Sequence, residues 1–222
     1  MDPQILSDVV DWTFPVPGPS MRRYLRVQRS VNSIQAVDCG GTAFDDLDYT
    51  GERIDQVLFP DVELIRQKGL AEAGTPPNGD KVGDDLPCRT TSLPRWQQVF
   101  ELETGWEDTV RSVYQSNPVQ PRVRQAGRCL SRQTGWVLDG AGDALQRFFV
   151  QLDNRAVRAA NTSEEAADRI VGKYSAVYAD CVGDYAEALR AELLARRPAQ
   201  IERNRELLTA MAGDLAAAGY VP

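Results

Sequence analysis

Between Ile170 and Leu189 the residues Ile170, Tyr174, Val177, Cys181, Tyr185 and Leu189 recur at steps of three and four. Only an α-helix gathers such a series onto one face, and about five turns of it require a partner surface of similar length. The run opens on Asn161-Thr162-Ser163-Glu164-Glu165, where Thr162 as N-cap and Glu165 three residues on form a capping box. Pro198 is expected to kink or divide the helix, because it has no N–H and crowds the preceding turn. Ile201, Leu208, Met211 and Leu215 then continue the pattern to a stop at Gly219.

The same spacing recurs upstream. After Ser20, a candidate N-cap, Tyr24, Val27, Val31 and Ile34 share a face, and Gly40-Gly41 ends that helix with Cys39 at its C-terminal end. A short helix is expected from Asp61 to Lys68, stopped by Gly69. Trp96, Val99, Phe100, Trp106, Val110 and Val113 mark another helix. The Ser116-Asn117-Pro118 break offers Pro118 for the next first turn. Val119, Val123, Ala126 and Leu130 line that helix, placing Cys129 on or near its inner side, with Gly135 as its stop and Trp136 as a core anchor beyond. Asp143 can cap a further helix carrying Leu145, Phe148, Phe149 and Leu152. No stretch alternates as a strand or hairpin would. The expected fold is therefore all-α: an irregular multi-helix bundle with long C-terminal helices. Residues 1–19, rich in proline, read as an extended arm anchored by Trp12 and Phe14, and residues 20–222 as a single helical domain. Between the short helix and Trp96 lies a long Gly- and Pro-rich loop containing Cys88. Loops of that length are uncommon in compact folds unless functional or tied down.

Composition removes whole classes of chemistry. The chain has no histidine, which excludes Ser-His-Asp and Cys-His nucleophile activation and any metal site relying on imidazole. Phosphate-cradling and dinucleotide glycine motifs and the nucleophile elbow are missing as well. A net charge of −7 argues against nucleic-acid and anionic-lipid partners, and no run is apolar enough to span a bilayer. Neither a cofactor nor a metal is expected. "DLDYTG", Asp46 to Gly51, matches the opening of a calcium loop, but the twelfth position, which should be a bidentate glutamate, is Val57. Arg196, Arg197, Arg203 and Arg205 interleave with Glu192, Glu202 and Glu206, the pattern of a salt-bridged exposed face. Asn161-Thr162-Ser163 is also a formal glycosylation sequon. Glu101, Glu103, Glu107 and Asp108 around Trp96 and Trp106 form the one constellation with catalytic potential, a carboxylate-dependent glycan hydrolase. That reading needs two carboxyls facing one another, whereas acidic residues beside an apolar stripe are ordinarily a solvated helix face.

The cysteines bear on location. Cys39, Cys88, Cys129 and Cys181 are an even set with no two at C-x2-4-C spacing. Two disulfides in an oxidising compartment are favoured over four buried thiols or a zinc site drawn from four distant points. The N-terminus has neither a basic n-region nor an apolar h-region, which alone reads as cytoplasmic; the cysteines argue the other way.

Three stretches carry a resemblance: "QRSVNSIQAVDCGG", "WEDTVRSVYQSNPVQPRVRQAGRCLSRQTGW" and "VYADCVGDYAEALRAELLARRPAQIERNRELL", with "GDDLPC" as a fourth, shorter match. Together they are similar to a group of exported actinobacterial helical proteins, often lipoproteins, of uncharacterised function. Shared features are a first helix ending in Asp-Cys, an Arg-x-Cys helix after a proline break, and a long C-terminal helix with a cysteine and "IERN". This chain departs from the group at Gly40-Gly41, where Met and Phe commonly follow the first cysteine, and at Gln125 and Ala126, near which a tryptophan is usual. The resemblance implies an extracytoplasmic, helical, disulfide-bonded protein and transfers no catalytic residue. Four cysteines allow three pairings, of which Cys39–Cys88 with Cys129–Cys181 is favoured. The expected role is binding, to another protein or to a cell-envelope component, as an accessory or toxin-neutralising protein rather than an enzyme. The glycan hydrolase is the alternative.

Overall fold

A computed structural model describes residues 2–38, 40, 56–72, 93–138 and 143–222. Among the described residues there are eight helices and no strand: α1 Pro3–Thr13, α2 Pro19–Asp38, α3 Val62–Glu72, α4 Trp96–Tyr114, α5 Gln120–Thr134, α6 Ala144–Ala160, α7 Glu164–Arg203 and α8 Arg205–Ala217. The all-α expectation stands. Cys39, Cys88 and the Asp46–Gly51 loop lie outside the described residues, so of the two expected disulfides the structure describes one, Cys129–Cys181.

The N-terminus corrects the sequence reading. Residues 3–13 are helix, not an extended arm. Proline content misled here: Pro3 sits in the first turn, where its missing N–H would have been unpaired in any case. Asp2 caps that turn by accepting the Gln4 N–H at 2.8 Å. Ile5, Val9 and Trp12 then form a buried stripe that packs on α2, α4 and α8. Trp12 and Phe14 do anchor on the body, as expected, and Pro15 accepts the Trp106 indole N–H at 2.7 Å.

Several boundaries moved by a residue or two. Helix α2 begins at Pro19, and Ser20, inside it, donates to Asp11 at 2.7 Å instead of capping. Pro121, not Pro118, occupies the first turn of α5. Ser163 rather than Thr162 caps α7, accepting the Ala166 N–H at 3.2 Å. Pro198 does not divide α7, which runs 40 residues to Arg203 and breaks at Asn204. The carbonyl that Pro198 leaves without its N–H belongs to Leu194, on the solvent side of the helix, where water can take it. Expected stops at Gly135 and Gly219 do hold, while Gly69 bends α3 and the helix goes on to Glu72; all three have positive φ.

Helix α7 is the axis of the fold, with α3, α5 and α6 packed along it. Its buried Tyr178 and Tyr185 donate to the carbonyls of Gln56 (2.8 Å) and Val57, pinning the chain ahead of α3. Ser175 accepts the Leu70 N–H at 2.8 Å, just past the bend at Gly69. Trp136 is a core anchor: it lies 4.5 Å from Tyr174 and 5.4 Å from Phe148, ring to ring, with Arg155 over its face at 4.6 Å.

Where α5 meets α6, Gly127 leaves no room for a side chain, since a Cβ there would stand 2.6 Å from the Ala144 Cβ. Neither atom is the end of a flexible side chain, so Gly127→Ala must push the helices apart. The gain in helix propensity, about 1 kcal/mol, is outweighed by overpacking. A net loss of roughly 1–2 kcal/mol is expected in urea unfolding followed by circular dichroism.

Candidate functional site

Helices α3 and α5 both run antiparallel to α7. Leu70 meets Ser175 and Arg66 meets Asp180 on one flank, while Cys129 meets Cys181 and Arg122 meets Asp184 on the other. The two flanking helices pack on α7 without packing substantially on each other. What remains between them is an open groove of about 660 Å³, walled by α3 and α5, floored by α7 and closed at one rim by Pro17-Gly18-Pro19. Its floor from Asp180 to Arg190 is about 15 Å long at the helical rise.

The polar periodicity of α7 builds that floor. Asp180, Gly183, Asp184, Glu187 and Arg190 share one helical face, opposite the buried Tyr178, Val182, Tyr185 and Leu189. Asp61, on the α3 side, is buried and fully engaged. It binds Arg22 through two bonds of 2.6 and 2.9 Å and caps α3 by accepting the Leu64 N–H at 3.0 Å. Arg66–Asp180, at 3.3 Å, and Arg122–Asp184, at 4.0 Å, are exposed pairs contributing about 0–1 kcal/mol each. Arg132, Glu187 and Arg190 face the groove with no partner among the described residues. The Cys129–Cys181 bond, Cα atoms 5.5 Å apart, joins the α5 wall to the α7 floor. Cys129 is half-buried and Cys181 about 9% exposed.

A second hollow of about 420 Å³ is lined by Val57, Leu58, Phe59, Glu107, Arg111, Tyr114, Gln115, Asp143 and Gln146. Asp143, the expected cap of α6, accepts the Leu145 N–H at 2.7 Å and the Tyr114 hydroxyl. Burial, reinforced by that carboxylate, pushes the Tyr114 hydroxyl well above its ordinary range. Both groups are occupied in holding α4 to α6.

The carboxylates of α4 divide between faces. Glu101 and Asp108 are exposed, Glu107 lines the second hollow beside Arg111 at 3.4 Å, and Glu103 is buried against the Tyr24 hydroxyl at 3.1 Å. Trp106 is buried with Phe14 on its edge at 5.5 Å, so its ring offers no face to a sugar. Desolvation raises the Glu103 carboxyl above 4.5, the Tyr24 hydrogen bond opposes the rise, and Glu107 adds to it. A raised carboxyl in the folded state favours folding at low pH, and that contribution fades as pH climbs from 4.5 through the folded value. Glu103→Gln removes the dependence. Its urea midpoint is expected to exceed that of the parent protein at pH 7 and to match it near pH 4.

Of the arginines read as an exposed face, Arg205 does pair with Glu202 at the surface. Arg197 instead turns inward to Asp11, its side chain 13% exposed. Among the described residues no cluster of histidine, cysteine and acidic side chains could hold a metal ion, and no helix is long and apolar enough to cross a membrane. The groove residues Asp61, Arg66, Arg132, Glu187 and Arg190 escaped the sequence reading. Glu187 and Arg190 have one signal there, the polar stripe of α7 opposite the apolar series; Asp61, Arg66 and Arg132, outside α7, have none. No protein-family model, curated protein or solved structure matches the chain.

Proposed function

We propose that this chain is an extracytoplasmic, disulfide-bonded binding protein of the exported actinobacterial type it resembles. It engages another protein or a cell-envelope component through the α3–α5–α7 groove. The observation carrying this reading is the groove itself: it is open, polar and lined by Arg132, Glu187 and Arg190, three charges without partners among the described residues. All three are exposed; a bound partner would desolvate them, and one bearing both signs would supply the counter-charges they then need. The Cys129–Cys181 bond suits an oxidising compartment. An accessory or toxin-neutralising role is the form of binding the resemblance favours.

A photo-crosslinking residue in place of Gln125, an exposed groove residue, with the same residue at the exposed Val157 on α6 as control, tests this in the producing cells. Expected is an adduct of one discrete mass from the groove position alone. Equal labelling at both positions, or none in the groove, overturns the reading. Four thiols alkylated without reductant in protein recovered from those cells would overturn the location. The second reading, a hydrolase of envelope glycans, draws on Glu103, since a general acid needs a raised carboxyl. Release of peptidoglycan fragments that disappears in Glu103→Gln would establish it.

A further inference from the structure

We propose that Cys129–Cys181 is a site of thiol–disulfide exchange, at which an external dithiol enters the groove and attacks Cys129. Structural disulfides are ordinarily enclosed; this one lies where a 660 Å³ open groove reaches both of its cysteines. Cys129 is the more exposed of the two, half-buried on α5, whereas Cys181 is 9% exposed on α7. A nucleophile coming from solvent therefore meets Cys129 first and displaces Cys181.

The groove carries charges of both signs, and two of its arginines stand beside the pair. Arg132 stands one turn beyond Cys129 on α5, and Arg66 faces the groove from α3 with its guanidinium 3.3 Å from Asp180, the neighbour of Cys181. Arg132 and Arg190 are unpaired among the described residues, as is Glu187; Asp180 and Asp184 are matched by Arg66 and Arg122, and Asp61 and Glu63 by Arg22. Guanidinium groups stabilise a thiolate, and a better-stabilised leaving thiolate departs faster. The two helices do not depend on the bond for their contact. Val123, Ala126 and Leu130 of α5 belong to the same core as Val182, Tyr185 and Leu189 of α7, so exchange proceeds in the folded protein.

The chemistry balances as two displacements. One thiolate of the dithiol attacks Sγ of Cys129, the S–S bond breaks, and Cys181 leaves as a thiolate. The second thiol of the reductant, deprotonated, attacks the mixed disulfide and releases Cys129. Two electrons pass to the cysteine pair, whose thiolates take up the two protons the dithiol gave up, and the dithiol ends as a disulfide.

The inference rests on the groove also used in the proposed function, but its test uses purified oxidised protein and so fails separately from any failure to find a partner. Reduced dithiothreitol at neutral pH, without denaturant, is followed by alkylation and peptide mapping. Circular dichroism and a protease-resistance assay run on the same samples. Expected is modification of Cys129 and Cys181 in equal amounts while the protein stays folded, faster than global unfolding. Arg66→Gln/Arg132→Gln is expected to slow the reaction about tenfold with helicity unchanged. A short pulse of reduced glutathione with acid quenching should leave the mixed disulfide on Cys129. Labelling no faster than global unfolding, or a glutathione adduct on Cys181 alone, overturns the proposal.

Discussion

Asp11→Ala is expected to lower stability by roughly 3–5 kcal/mol, the cost of breaking a buried ion pair by removing one partner. Asp11 is 2% exposed on α1 and accepts from Ser20 and Arg23 of α2 and from Arg197 of α7. One turn earlier Asp8, fully buried, accepts from Arg26 at 3.0 and 3.1 Å and from the Tyr220 hydroxyl at 2.7 Å. Two carboxylates on a single helical turn thus tie α1 to α2, to α7 and to the C-terminal residues beyond α8. Removing Asp11 leaves Arg197, 13% exposed and with its Nε already unbonded, with no counter-charge. Arg23 is less affected, because at 36% exposure water can solvate it. Arg197→Met in the Asp11→Ala background is accordingly expected to restore part of the loss, a coupling of about 0.5–3 kcal/mol by double-mutant cycle. Guanidinium unfolding of the four proteins provides the measurement. A loss within about 0.5 kcal/mol would mean that these charges remain hydrated in the folded protein.

This cluster marks how far the sequence could be read. The apolar series of α7 and the glycine stops at Gly135 and Gly219 are local signals that correspond to what the chain forms, and at Gly69 the signal marks a bend in α3 instead of its end. Local signals also exist for α1, in Ile5, Val9 and Trp12, but they compete with a high proline density whose effect depends on position. Pro3 is harmless in a first turn, and Pro198 is tolerated because the carbonyl it strands faces water. Neither fact can be read from composition.

The groove is harder still, because its α3 wall and its α7 floor come from segments more than 100 residues apart, as Arg66 with Asp180 shows. Which acidic residues pair, which are buried and which stay free is decided by the packing of α3 and α5 on α7. Glu103 and Arg197 make the same point from the other side. Each sits in a polar run that resembles a solvated face, and each turns inward because one helical position in that run faces a neighbouring helix. The cysteines lie between these extremes: Cys129 falls on or near the inner side of its helix by period alone. Its partner on α7 required a choice among three pairings.

Removing that bond altogether, as Cys129→Ala/Cys181→Ala, is expected to lower stability by about 4 kcal/mol in the chain-entropy account, for a closed loop of 52 residues. For a protein of this size, that corresponds to a fall in Tm of roughly 10 °C. The loss is assigned mainly to the unfolded chain, which the bond constrains, because α5 keeps its apolar seat on α7 through Val123, Ala126 and Leu130. Two features separate this mechanism from packing loss. Near-ultraviolet circular dichroism from Trp136, two turns beyond Cys129, should be retained at low temperature, and the refolded variant should keep the helicity of the parent protein. Single replacement, Cys129→Ala, should be at least as destabilising, since it also leaves the Cys181 thiol against the core and free to pair elsewhere. Guanidinium midpoints measured without reductant would read the effect. Equal midpoints for the double variant and the oxidised protein would show that the α5–α7 contact already persists in the unfolded chain, leaving the bond nothing to constrain.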